Sequence, residues 1–168
     1  MKMRMNKELK RKIEEIYKDT RVEFPERNRM VVKTKKENLL PILEFLKSEE
    51  FRQLKAISCV DWIEEGEFEL IYQVTSLNSP LHIMVKVRIG RENAQIETII
   101  KIFENAQVYE REIHELFGVK FRGNPGLSPL FLENWQSIPP FRKDFDTREY
   151  VKEVFDKIPR VESENEKS

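Results

Sequence analysis

Five ionisable side chains fall within six residues, in Glu110-Arg111-Glu112-Ile113-His114-Glu115. Glu110, Glu112 and His114 are residue types that carry out acid–base work. With Glu115 they are also possible metal ligands, but the informative helical arrangement, histidines at i and i+4 with the right glutamate, is absent. Three or four convergent ligands are the general requirement. His82 and His114 are the two histidines of the chain, and they lie far apart in sequence. No nucleophile and no phosphate loop accompanies them: Gly123-Asn124-Pro125-Gly126 reads as a turn, without the Gly-Lys-Ser/Thr that cradles phosphate. The spacing therefore favours contacts over catalysis.

These residues need a helix to present them. Residues 107–118, from a start near Ala106, place Tyr109, Ile113, Leu116 and Phe117 on one apolar stripe. Glu112 sits at its edge beside Leu116, with Arg111, His114 and Glu115 on the far side. Two readings stand. In one the helix is solvated, with Glu110–His114 and Arg111–Glu115 as i,i+4 pairs. In the other Glu112 and Arg111 anchor buried or interfacial contacts, because a carboxylate at a core edge needs a partner.

The segment that follows is unlike an ordinary linker. Residues 118–145 hold three of the five glycines and four of the eight prolines, so no regular period runs through them. They also carry Phe121, Trp135, Ile138, Phe141 and Phe145. A disordered segment is poor in aromatics, whereas this one needs a surface to cover. A second protein is the economical surface, with self-packing as the alternative. Arg142-Lys143-Asp144 stands between two phenylalanines and offers a bidentate guanidinium.

The elements before the helix supply an ordinary frame. Leu9, Ile13, Ile16 and Tyr17 mark a helix over 6–18. Val31 and Val32 centre a strand over 29–34. A helix ends near Glu49, and Pro41 sets its start at Asn38 better than at a Thr34–Glu37 capping box. Strands follow over 55–63, 68–74 and 81–89, the last alternating strictly. Short links make these three an antiparallel meander. Ile96, Ile99, Ile100 and Phe103 read as a helix over 95–104. A short helix is expected to run from Asp146 to Lys157, and 161–168 reads as a polar, disordered end. The fold class is α+β, a mainly antiparallel sheet packed with helices and followed by an extended C-terminal arm. The divisions are an N-terminal helix at 1–20, an α+β domain at 21–118, the arm at 119–146 and a polar tail at 147–168.

Lys+Arg and Asp+Glu balance at 30 each, so no net field draws nucleic acid or anionic lipid. The single cysteine, Cys59, excludes an internal disulfide or a multi-cysteine cluster. No apolar run reaches membrane-spanning length, and no signal peptide is expected at the start.

Glu110-Arg111-Glu112, then Glu115-Leu116-Phe117-Gly118-Val119, Phe121, Gly123 and Pro125, and finally Pro140-Phe141-Arg142-Lys143-Asp144-Phe145, closely resemble the signature of the thirty-kilodalton subunit of respiratory complex I, the NADH dehydrogenase. The resemblance begins near Ser58-Cys59-Val60-Asp61-Trp62 and covers about residues 55–146. Glu115 stands where the family often has Asp, His114 where it has an aromatic or apolar residue, Asn124 in place of the His of Gly-His-Pro, and Phe141 in place of Leu. These departures look most like the thirty-kilodalton-family homologues in complex-I-related membrane-bound hydrogenases, with NADH/quinone and sulfur-linked relatives as alternatives.

The resemblance implies a hydrophilic-arm subunit without redox centres of its own, packed on the large catalytic subunit. Nickel–iron and iron–sulfur centres are then expected in partner subunits, alongside a membrane arm that translocates ions. The chain would be held peripherally on the cytoplasmic side of the membrane. It also implies a partner interface built on Glu110, Arg111, Glu112 and Glu115 of the helix. Phe121, Pro125 and Trp135 of the arm join it, and Phe141, Arg142, Lys143, Asp144 and Phe145 close it. Two rivals remain: a small acid–base enzyme using Glu110, Glu112 and His114, and a lipid-binding adaptor using residues 1–18.

Overall fold

The computed structural model describes residues 2–132, 135 and 137–155. Helix α1, Lys2–Ile16, is followed by strands β1, Arg21–Glu26, and β2, Arg29–Thr34. Helix α2, Leu39–Ser48, leads into the meander of β3, Gln53–Trp62, β4, Glu67–Ser76, and β5, Ser79–Gly90. Short strands β6, Gln95–Glu97, and β7, Lys120–Arg122, flank helix α3, Ala106–Phe117. Helix α4, Thr147–Phe155, closes the described chain.

The main sheet has the order β1-β2-β5-β4-β3. Antiparallel pairing joins β1–β2, β3–β4 and β4–β5, while β2 lies parallel to β5. This is the α+β class with a mainly antiparallel sheet that the alternating strands predict. The strict alternation of β5 has its expected cause: Leu81, Ile83, Val85, Val87 and Ile89 all face the core. Leu39, Ile42, Leu43 and Leu46 of α2 pack on that same core. Pro41 falls in the first turn of α2, where its missing N–H costs nothing.

Helix α1 lends part of its apolar face to the core. Leu9 and Ile13 are buried in the shared core, and Tyr17 donates its hydroxyl to Pro41 O at 3.0 Å. Ile16, at the end of the helix, stays exposed. No helix among the described residues is long and apolar enough to cross a membrane.

Two local readings are corrected. Strand β1 carries Pro25 and three charged residues and shows no strand pattern; it forms as an edge strand, where a missing N–H is tolerated. Residues 95–104 are not a helix. Gln95–Glu97 pairs in parallel with Lys120–Arg122, and tight turns follow. Ile96, Ile99, Ile102 and Phe103 are buried as a helix would bury them. Yet isoleucine is a middling helix former, and the Ile99 N–H is claimed by the Glu110 carboxylate instead. The part of the short C-terminal helix beyond Phe155, and the polar end at 161–168, lie outside the described residues.

Candidate functional site

Helix α3 ends on Gly118, whose φ of +79° is the left-handed cap that glycine adopts without strain. Its N–H closes on His114 O at 2.9 Å. A Cβ at Gly118 would stand 3.1 Å from Cγ of Pro139, so the glycine also lets the arm pass close by. The arm then returns along α3.

Four fastenings hold it. The first is Glu110, fully buried at 0% exposure. Its carboxylate accepts from Thr98 Oγ1 at 2.6 Å, Ile99 N at 2.8 Å and Asn124 Nδ2 at 2.8 Å. Burial raises its pKa, and the three donors oppose that rise. Asn124 also takes the Gly126 N–H on its Oδ1, which shapes the Gly-Asn-Pro-Gly turn. The second fastening is Arg111, which donates to Ser128 O at 2.7 Å and to Pro129 O. The third is Glu115, which accepts from the backbone N–H groups of Leu130, Phe131 and Leu132 at 2.7 to 3.1 Å. Partial burial would raise its pKa, but those donors and the charge of Arg111 lower it below the usual range.

The fourth fastening is ionic. Asp61 at the end of β3 takes Arg91 Nε at 2.8 Å and Nη2 at 3.1 Å, and the Lys143 N–H at 2.8 Å. Arg91 Nη2 also reaches Asp144 at 2.6 Å, and Asp144 takes Arg142 through two contacts of 3.1 Å. Burial alone would raise the Asp61 pKa, yet Arg91 and the Lys143 N–H bring it below normal. Arg142, and after it Arg91, hold Asp144 far below the usual carboxylate range. Both guanidiniums lie over the ring of buried Phe68, at 5.6 and 5.9 Å. Phe68 packs edge-on against Phe117, and Phe117 against Phe141. The Phe141 N–H closes on Leu116 O at 3.0 Å. Farther along, Trp135, Phe145 and Tyr150 cluster with ring centroids 4.6 to 5.6 Å apart, tying α4 to the arm.

These placements redistribute the expected roles. The buried polar side chain of α3 is Glu110, not Glu112. Ala106, Glu110 and Ile113 form the i, i+4, i+7 row that faces inward, and a wheel built on apolar residues passes over a glutamate in that row. Glu112 is half-buried. Arg111 and Glu115 grip the arm's backbone in place of pairing with one another. Phe121 is 1% exposed inside this chain's own core, which leaves its ring no surface for a partner. Pro125 and Lys143 are exposed, and Trp135 and Phe145 are half-buried. Much of the arm thus covers its own domain; exposed apolar groups remain at Phe131, Ile138 and Phe141.

Two of the three side chains considered for acid–base work are already engaged. Glu110 is sealed from solvent with three donors on it, and His114 Nδ1 is engaged with Val119 O at 2.8 Å. Burial pushes the Cys59 thiol up to about 12, away from thiolate chemistry. A groove of about 390 Å³, lined by Leu9, Lys12, Glu49, Phe51, Ser76 and Leu81, lies at the opposite end of the sheet.

Arg91 and Asn124 belong to these fastenings, yet the sequence draws little attention to them. Arg91 follows the last strict strand directly, with no motif around it. Asn124 stands out solely as a departure from a Gly-His-Pro pattern.

Comparison with known proteins identifies the family. The profile of the family described as respiratory-chain NADH dehydrogenase, 30 Kd subunit, matches residues 32–151. The C subunit of the F(420)H(2) dehydrogenase of Methanosarcina mazei is 34% identical over 137 residues, spanning 80% of this chain and 85% of that protein. The C subunit of the NADH-quinone oxidoreductase of Rhodobacter capsulatus is 30% identical over 135 residues, 78% of this chain and 67% of that one. Among solved structures, a chain of the membrane-bound sulfane sulfur reductase, an archaeal respiratory membrane complex, superposes with a TM-score of 0.84 at 30% identity. That match covers 98% of this chain and 99% of the other.

Proposed function

The chain belongs to the respiratory-chain NADH dehydrogenase 30 Kd subunit family, and on that premise we propose that it is a non-catalytic subunit of a complex-I-like, membrane-bound respiratory oxidoreductase. It docks on the large catalytic subunit through the exposed side of α3 and the arm, and helps hold the electron-transfer part of the complex together. The redox centres lie in its neighbours. The chain itself sits peripherally, on the cytoplasmic side of the membrane.

One observation carries the reading. The likeness to the sulfane sulfur reductase chain runs almost end to end. An arm fixed on its own domain with large apolar groups still exposed is what a docking subunit requires. The near-complete coverage supports a sulfur-linked complex ahead of the hydrogenase type suggested by the motif details. A hydrogenase relative is the second reading, favoured by the departures at His114, Asn124 and Phe141.

Purification of a tagged chain from detergent-solubilised membranes of its native host tests this. The expected result is a multi-subunit complex containing iron–sulfur centres, with nickel below stoichiometric amounts. Stoichiometric nickel would select the hydrogenase reading. Recovery of the chain solely as a monomer would overturn the proposal.

A further inference from the structure

The charged motif Arg142-Lys143-Asp144 invites a reading as a patch offered to a partner. Its geometry points the other way. Asp144 is shared between Arg91 and Arg142, Asp61 takes Arg91 and the Lys143 N–H, and both guanidiniums rest on Phe68. The side chains of Asp61 and Arg91 are almost covered, at 2% and 12% exposure. Such pairs gain little from a partner's charge and would lose hydration on contact. Lys143 itself stays exposed, but the arm also leaves large apolar side chains outward. Of the eight large hydrophobics exposed among the described residues, three lie within residues 131–141: Phe131 at 66%, Ile138 at 44% and Phe141 at 59%.

We infer that the Asp61–Arg91–Asp144–Arg142 cluster is an internal latch that sets the arm on the free chain. The set arm then presents Phe131, Ile138 and Phe141 to an apolar groove on the neighbouring subunit. The groove rests on the subunit reading above; the latch does not, since it belongs to the chain alone. Ordering the arm in advance removes an entropic cost from docking. An irregular segment of this length would otherwise be ordered at the moment of binding. Within the latch, Arg91, Arg142 and Asp144 are positioning residues, and the partner meets aromatic and aliphatic side chains.

Two full-chain variants separate the parts. Asp144→Asn weakens the latch, and the double variant Phe131→Ser, Ile138→Ser removes apolar contacts without touching it. Hydrogen exchange at the Phe141 and Lys143 amides reads the latch in the purified chain, because these donate to Leu116 O and Asp61. Copurification of the large subunit from native membranes reads docking. Asp144→Asn is expected to speed exchange at both amides about tenfold while the complex is still recovered. The serine pair is expected to leave exchange unchanged and to lower recovery of the large subunit by about tenfold or more. Unchanged exchange with loss of the complex in Asp144→Asn would overturn the latch and make the charges partner contacts. Wild-type recovery with the serine pair would overturn the apolar interface. If the wild-type chain itself recovers no complex, the subunit reading fails, and the exchange measurement still decides the latch.

Discussion

The sheet with its helices and the arm are held by opposite means. The domain core is apolar: Leu43, Leu46, Ile83 and Val85 are among many side chains with no exposure at all, and dispersion and the hydrophobic effect do the holding. The arm has few buried apolar groups. It is fixed by side chains that reach backbone atoms, at Arg111 and Glu115, and by the ion pairs around Arg91. Apolar contact tolerates irregular partners, whereas a hydrogen bond fixes one atom against another. A chain without secondary structure can therefore be held in one path, and its apolar groups can be left outside. Glu110 stands at the border, a polar clamp sealed inside the apolar region.

This contrast predicts a graded series. Leu43→Ala creates a cavity in the core and should cost about 3 kcal/mol of global stability, read by chemical denaturation. Arm amides should then exchange as before until the whole molecule unfolds. Glu110→Ala should cost about 2 kcal/mol, since it orphans the Ile99 N–H and frees the turn at Asn124. It should loosen both regions together, and an effect confined to the arm would break its placement at the border. Asp144→Asn should cost about 1 kcal/mol or less globally, because Asp144 is a third exposed. Tyr72→Phe should change stability least, within about 1 kcal/mol and in the favourable direction. The buried Tyr72 hydroxyl has no hydrogen-bond partner among the described residues.

Acid separates the regions in a single titration. The folded pKa values of Asp61 and Asp144 are depressed. The stability they contribute is fully present above the ordinary carboxylate value of about 4 and is lost as pH falls through the folded values. Glu110 has the opposite sign. Its raised folded pKa contributes stability that is present below its ordinary value of about 4.3 and lost as pH rises through the folded one. Lowering the pH should thus release the Phe141 and Lys143 amides while the Ile99 amide stays protected. Amide chemical shifts followed by NMR would check this, and simultaneous release at all three would break the comparison.

Much of the fold was legible from periodicity. Alternation in β5 and the spacing of Leu39, Leu43 and Leu46 declared their faces because each buries apolar groups at a fixed repeat. The irregularity of the arm was legible from its glycines and prolines, and Arg142-Lys143-Asp144 stood out by its setting between aromatics, though its contacts within the chain did not. The roles were less so. Glu110 was hidden because a buried glutamate breaks the apolar pattern that reveals a buried face. The stretch at 95–104 satisfied the helical repeat through Ile96, Ile99, Ile100 and Phe103, and tertiary pairing with β7 overrode it.

The charged cluster on α3 shows where each kind of information stops. The sequence determined that Glu110 to Glu115 ride on one helix, that residues 118–145 follow no regular period, and that the motifs at 110–125 and 140–145 mark one family. Those are properties of short-range spacing and residue type. Only the tertiary structure decided which carboxylate is buried, and that Arg111 and Glu115 hold backbone in place of each other. It alone brought Arg91 between Asp61 and Asp144, partners 30 and 53 residues away in the chain. Contacts over such separations depend on how the sheet stacks against the helices, and no local repeat records that.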